Sequence, residues 1–402
     1  MSDMRIKRKY GFVVWLLLCF GTKSCIEPFD VSYANFESAL VIDAIITNEL
    51  KQQRIVLSRT YEFEEEGPSA ESNAAVIVTD SNGDSYTFTD TGNGIYLSEQ
   101  AFAAVLGVEY QLSIITKDGR NYASDAAQLR VASTTIDEVR AQRITNDFGE
   151  DGMAIFVDSF DPTGESVNYR YDYEETYRVV APDWNPRTLI GDPQGGCDVL
   201  EAPNRDYEEV CYPTTASNSI ILTTTRELGE DRVDNFMVRF IDSGDYIISH
   251  RYSILVRQYV QSNEAYTFYG TLKDISTTEN LFSQIQAGFL QGNVFSSEDR
   301  NEQVLGYFDV AAVDEKRIFF NYDDFYPGEP LPPYVQDCTP STPPIANPGG
   351  CVLRPILETG TAAFVGDNPS PGDGEGPYFI APRICGDCSL LGTSEVPGFW
   401  EE

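Results

Sequence analysis

The chain has 402 residues, enough for roughly two or three domains with real cores, and its 42% apolar content argues against a disordered chain. Asp and Glu number 63 against 28 Lys and Arg, a formal charge of −35, so the surface repels phosphate backbones and nucleic acid is not an expected partner. A single histidine, His250, leaves no material for serine triads, cysteine–histidine dyads or multi-histidine zinc sites.

The amino terminus opens with a basic segment, "MSDMRIKRKY", carrying Arg5, Lys7, Arg8 and Lys9. The apolar run "GFVVWLLLCF" that follows is too short to cross a bilayer core of about 30 Å as a helix, and residues 1–24 read as a secretory signal peptide. Ser24 precedes Cys25 in a pattern that resembles the bacterial lipoprotein signal. In that chemistry the cysteine becomes the first residue, its thiol takes a diacylglycerol and its amine an acyl chain such as palmitate. Two or more chains give stable anchoring where one is marginal. Thr22 and Lys23 depart from the usual apolar and small residues of the signal. The competing reading is a plain signal peptide followed by a structural cysteine. Residues 25–38 then form a tether.

From "ALVIDAIIT" onward the chain breaks into short alternating runs: "QRIVLSR", "AAVIVTD", "DSYTFTD", "GIYLS", "EYQLSIIT" and "RNYAS". Period-two alternation predicts strands with one face in a core, and Asn82-Gly83 and Asp118-Gly119 predict tight hairpins. This pattern predicts an immunoglobulin-like β-sandwich over 39–132. Asp80, Asn82 and Asp84 have the spacing of calcium ligands, but the glycine and glutamate of a calcium loop are missing and a hairpin explains them better.

Residues 133–402 read as a larger β-rich domain. "GMAIFVDSF", "VNYRYDYEETYRVV", "SIILTTT", "FMVRFID" and "DYIISHRYSILVRQYV" are strand-like, and His250 falls in the last of these as a strand residue. One helix is predicted near 262–275, capped by Ser262 or Asn263 with Tyr266, Tyr269 and Leu272 on one face; "NLFSQIQ" adds a turn or two. After "QVLGYFDVAAVDEKRIFF" the chain becomes proline-rich and loop-like. The fold class is therefore mainly β, an N-terminal sandwich followed by a β-rich domain with one or two helices and cysteine-containing C-terminal loops.

Six cysteines follow Cys25: Cys197, Cys211, Cys338, Cys351, Cys385 and Cys388. An even number in an exported chain predicts disulfides. Locality suggests Cys197–Cys211 within the long 182–215 insertion. The last four pair either as Cys338–Cys351 with Cys385–Cys388 or crossed. A four-cysteine zinc site is disfavoured by spacing and by an oxidising compartment, and no metal or other cofactor is expected.

No P-loop, nucleophile elbow, dinucleotide fingerprint or zinc-protease motif is present, and no carboxylate pair stands out, so an enzyme is not expected. The surplus is aromatic, with 23 Tyr, 23 Phe and 3 Trp. Trp184, Tyr207, Tyr212, Tyr322, Phe325, Tyr326 and Tyr334 sit in predicted loops, where rings either stack on a ligand or partner or simply pack.

Taken in order, "SCIEPFD", "ALVIDAIITNE", "AAVIVTDSNGDSYTFTDTGNGIYLS", "GVEYQLSIITKDGRNYAS", "SNEAYTFY", "LQGNVFSS", "VLGYFDVAAVDEKRIFF" and "ICGDCSLLGTSEVPGFW" resemble the Bacteroidota outer-membrane lipoproteins of the "domain of unknown function 4249" family. The resemblance spans nearly the whole mature chain and implies no catalytic residues. It implies anchorage to the outer membrane through Cys25, with Glu27 and Asp30 favouring a cell-surface orientation. The Cys385/Cys388 pair is carried over as structural. It also implies a partner, a TonB-dependent nutrient transporter of the starch-utilisation type, for which this chain would be a non-enzymatic accessory. The alternative is a cell-surface adhesin or structural envelope protein.

Overall fold

The computed structural model describes residues 38–61, 67–277 and 290–402. The signal segment, Cys25, nearly all of the tether and the turn expected at 280–286 lie outside them. Strands form where apolar and polar residues alternate. In Glu109–Ile115 the buried side chains are Tyr110, Leu112 and Ile114, and those between them are exposed. Leu40–Thr47 likewise buries Leu40, Ile42, Ala44 and Ile46.

The hairpins fall where glycine follows Asn or Asp. Ala75–Asp80 turns into Ser85–Gly92 with Gly83 at φ +96°, and Glu109–Ile115 turns into Asn121–Ser124 with Gly119 at φ +89°. The Asp80 carboxylate accepts the backbone N–H groups of Asn82 (2.9 Å) and Asp84 (3.0 Å), so the calcium-like spacing serves the turn.

The chain is mainly β and its largest sheet is organised around one 18-residue strand, Val304–Asn321. The first half of this strand, Val304 to Ala311, pairs in parallel with the whole of Leu40–Thr47. Beyond Leu40–Thr47 the order is Arg54–Arg59, Ile95–Ser98, Ser85–Gly92, Ala75–Asp80, Glu109–Ile115, Asn121–Ser124 and Val294–Ser296, every step antiparallel. The second half, Ala312 to Asn321, pairs antiparallel with Arg251–Val260, which in turn pairs with Asn168–Tyr177. The boundary expected at 132/133 is therefore bridged by a strand belonging to both ladders, and residues 39–60 and 67–402 make one compact unit. Side-chain bonds add to the bridge: Asn48 Nδ2 donates to the Ala132 carbonyl (3.1 Å), and the Ile136 N–H donates to Asp314 (2.6 Å).

A second sheet of Glu138–Thr145, Asp151–Asp161 and Asp231–Asp242 covers one face of the Asn168–Tyr177 and Arg251–Val260 strands. Met153, Ile155 and Val157 share the core with Tyr169, Tyr171, Tyr173, Ile254 and Val256, and the Tyr171 and Phe236 rings meet at 5.3 Å. Among the described residues the long helix is Asn263–Thr277, and the Ser262 hydroxyl caps it by accepting the Ala265 N–H at 3.0 Å. Its buried face is Ala265, Phe268 and Tyr269, with Tyr266 only half-buried. The expected stripe is rotated because Phe268, not Tyr266, packs on Tyr307 (5.3 Å).

The disulfides differ from the local pairing. The bonds are Cys197–Cys351, Cys211–Cys388 and Cys338–Cys385. Locality fails because Cys197 and Cys211 occupy different places in the insertion. Cys197 lies in the turn between Arg187–Gly191 and Val199–Pro203, whereas Cys211 pairs with Val179 in a separate two-stranded ladder. The C-terminal segment folds back on both: Leu189 and Val199 share a small core with Leu353, Phe364 and Ile380. The insertion and the C-terminal loops thus make one cross-linked cap, and no cysteine thiol in it is left for zinc.

Two outcomes follow for stability. Gly306 sits at φ +128° with the position of a Cβ only 2.0 Å from the Ile42 carbonyl oxygen, so Gly306→Ala breaks the parallel ladder and destabilises the fold by about 3 kcal/mol or more, read by denaturant unfolding. Replacing Cys211 and Cys388 together with Ala opens a 177-residue separation and lowers stability by up to about 5 kcal/mol on the chain-entropy estimate, read as a drop in Tm under non-reducing conditions.

Candidate binding face

On the side of the sheet away from the main core, Asn168–Tyr177, Arg251–Val260 and Val304–Asn321 present charged residues at alternate positions. Arg257 lies between Asp172 (3.4 Å) and Glu315 (3.0 Å), and Arg317 between Glu174 (3.3 Å) and the Ser253 hydroxyl (3.1 Å). Arg251 donates to Asn321 Oδ1 (3.1 Å) and to the Glu401 carbonyl. The C-terminal residues complete this surface. The Phe399 ring centre lies 3.6 Å from the Arg317 guanidinium, and Trp400 meets Phe319 edge-on at 5.8 Å and Tyr212 at 5.0 Å. Together Arg251, Leu255, Glu315, Arg317, Phe319 and Phe399 line a shallow open concavity of about 890 Å³.

The electrostatics are those of a paired surface. Burial pushes Arg317 below the usual arginine range, with the Arg257 charge adding to the effect and Glu174 opposing it. Burial also works against the Arg257 charge, but Asp172 and Glu315 outweigh it and its pKa is raised. Each guanidinium here has a carboxylate or carbonyl partner, and no nucleophile stands beside a free base.

The upper end of this face is closed by the helix. Arg170 is held between the rings of Tyr259 (5.0 Å) and Tyr269 (4.5 Å), and its Nε is buried without a hydrogen-bond partner. Below it Asp309 is buried, accepting the Val310 N–H (3.0 Å) and a long bond from Gln261 Nε2 (3.4 Å). Burial pushes the Asp309 carboxyl up to about 6, with the Arg170 charge opposing.

Two other buried carboxylates, Glu175 and Asp231, are fully engaged. Glu175 accepts from the Tyr252 hydroxyl (2.6 Å) and from Arg239 (3.2 and 3.3 Å). Asp231 accepts from the Tyr169 and Thr225 hydroxyls (2.8 and 2.5 Å) and from the N–H groups of Ser166 and Val167 (3.1 and 3.0 Å). Such saturation marks structural acids rather than acid/base groups poised for substrate. The close grouping of Asp183 with Cys338 and Cys385 resembles a metal site only in composition, since the two sulfurs are bonded to each other.

The rings nominated from sequence pack within the cap and its surroundings. Trp184 packs against the core with its Nε1 donating to the Tyr207 carbonyl (2.9 Å), and Tyr207 lies under Arg383 (4.8 Å). Tyr322 and Tyr326 are buried and stacked at 4.7 Å, and Phe325 meets Phe320 edge-on at 5.5 Å. Tyr212 is buried too, reaching the concave face only through Trp400. Arg251, Arg317 and Phe399 escaped sequence reading, although arginines two apart from apolar residues in "RYSILVRQYV" and "VDEKRIFF" carry the trace of this second face. Cys25 lies outside the described residues. No helix among those described is long and apolar enough to cross a membrane.

Fold and face together define a mainly β protein with an open concave face on its largest sheet. The family described as "Domain of unknown function (DUF4249)" matches residues 26–317, and the chain belongs to that family. No curated protein matches it. Among solved structures, a β-glucuronidase of Parabacteroides merdae aligns at 8% identity over 48% of this chain and 26% of that one. The chain thus spans about a quarter of that enzyme's length, and the TM-score of 0.15 carries no argument about fold or activity.

The raised Asp309 carboxyl makes stability pH-dependent. Its folded-state value, about 6, lies above the ordinary 3.8, so its contribution is complete below about pH 4 and is lost as pH rises through 6. Asp309→Asn removes that loss. The variant should match the wild type near pH 4 and exceed it at pH 8 by up to about 3 kcal/mol, read by urea unfolding at both pH values.

Proposed function

We propose that the chain is a lipid-anchored outer-membrane protein, held through Cys25 and facing the cell surface, that acts without catalysis as an accessory to a TonB-dependent nutrient transporter. The observation that carries the reading is the concave face, where Arg251, Arg317, Phe319 and Phe399 combine the residue types enriched in protein–protein hot spots. Three disulfides support an oxidising compartment outside the cytoplasm. The leader and Cys25 support lipid anchorage. Engaged buried carboxylates favour recognition over hydrolysis. A tether at the membrane confines the protein to two dimensions and raises its effective concentration beside a membrane partner, so a modest face suffices.

The test is a pull-down of the tagged chain in mild detergent, with Cys25→Ala and Arg251→Glu alongside. A single β-barrel transporter should accompany the wild type in stoichiometric amount, vanish with Cys25→Ala, and fall at least tenfold with Arg251→Glu while that variant stays membrane-bound. A wild-type chain that emerges alone but membrane-bound defeats the accessory reading and turns attention to adhesion.

A further inference from the structure

Away from the concave face, a smaller pocket of about 320 Å³ opens where the strand Arg251–Val260 begins. Its walls are apolar: Val179, Val180 and Pro182 on one side, Leu331 and Pro332 on the other. Tyr246 and Tyr334 add two rings whose centres stand 6.3 Å apart, inclined at 65°. Both hydroxyls are turned toward the protein, Tyr246 to the Tyr177 hydroxyl (3.4 Å) and Tyr334 to the Ile384 carbonyl (3.1 Å).

The side-chain hydrogen-bonding capacity left in the pocket belongs to two adjacent residues, Ser249 and His250, whose hydroxyl and imidazole bond no described residue. Burial, with the Arg178 charge adding, pushes the imidazole pKa down, so at neutral pH the ring is uncharged and offers one donor and one acceptor. The pocket is also preformed. Its Leu331–Pro332 wall is fastened on one side by the Tyr322 hydroxyl bonding the Pro330 carbonyl (2.9 Å) and on the other by the Cys338–Cys385 bond.

We infer that this pocket binds a small uncharged aromatic alcohol, with the ring between Tyr246, Tyr334 and the proline walls and the hydroxyl on His250. Small-molecule sites are concave, mostly apolar and carry a few placed polar groups, and about 320 Å³ falls at the lower end of their range. A sugar fits poorly, because its many hydroxyls would be buried against two polar side chains. A carboxylated ligand fits poorly as well, since the neutral imidazole does not balance its charge and the chain as a whole is strongly acidic. This binding is separate from transporter association and is tested on the isolated protein.

The experiment is calorimetric titration of the full chain with 2-naphthol as probe, and with naphthalene as the same ring lacking the hydroxyl. One site is expected with a Kd below about 1 mM, and about tenfold weaker binding of naphthalene. Leu331 is 52% exposed, so Leu331→Trp fills the pocket from its rim without disturbing the core and should weaken 2-naphthol at least tenfold at unchanged Tm. His250→Phe keeps a ring in place and should reduce 2-naphthol to the level of naphthalene. Absence of binding to the wild type, or equal binding by Leu331→Trp, overturns the site. Equal 2-naphthol binding by His250→Phe overturns the role of the imidazole and with it the alcohol specificity.

Discussion

The strand Val304–Asn321 belongs to two ladders at once, and the rest of the architecture depends on that sharing. Its first half is hydrogen-bonded to the start of the described chain and its second half to Arg251–Val260. A parallel partner is needed on one side and an antiparallel partner on the other, which no hairpin can supply. The segment where the halves meet, Phe308 to Val313, is buried throughout, Asp309 included. This is the continuous burial of a strand covered on both faces rather than alternation. Ile45, Tyr259, Ala311 and Val313 form their own small cluster there, outside the main core. Gly306 and Gly292 stand just upstream because the backbones approach too closely for a side chain.

That geometry explains why the acidic residue at the junction is tolerated. Asp309 is surrounded by a backbone N–H, a glutamine amide and the charge of Arg170, and the tyrosines enclosing Arg170 keep that cation from water. A buried charge without full hydrogen bonding answers by shifting its pKa, and the Asp309 carboxyl does so. The arrangement is a local compromise at the one point where both ladders need the same strand.

Much of this was legible in sequence because it is local. The hairpins at Asn82-Gly83 and Asp118-Gly119, the alternation of "EYQLSII" and the helix starting after Ser262 each rest on residues within a few positions of one another. Pairings between distant segments were not. Leu40 meets Val304 and Cys211 meets Cys388, and nothing in either neighbourhood announces the partner. Loop aromatics posed a related difficulty: their positions left stacking on a partner and plain packing both open, and Trp184 packs against the core while Tyr326 stacks on Tyr322 beneath Arg143. The concave face was hidden for the opposite reason. Its arginines alternate with core residues along their strands, and only the return of Phe399 and Trp400 across the sheet turns that side into a lined surface.

The cap ties these observations together. A long insertion and a proline-rich tail, each poor in regular structure, cannot bury enough apolar area to hold a shape alone. Joined by two cross-links, with a third inside the tail, they enclose a second small core and carry the walls of the His250 pocket and the aromatic edge of the concave face. The sheets underneath supply rigidity, but their buried acids Glu175 and Asp231 are consumed by structural bonds to Tyr, Thr and Arg. What the molecule has left to offer is therefore at the margin between sheet and cap, where side chains are positioned by covalent bonds yet still face solvent. Such a margin suits recognition, because a fixed contact surface loses little conformational freedom when a partner arrives.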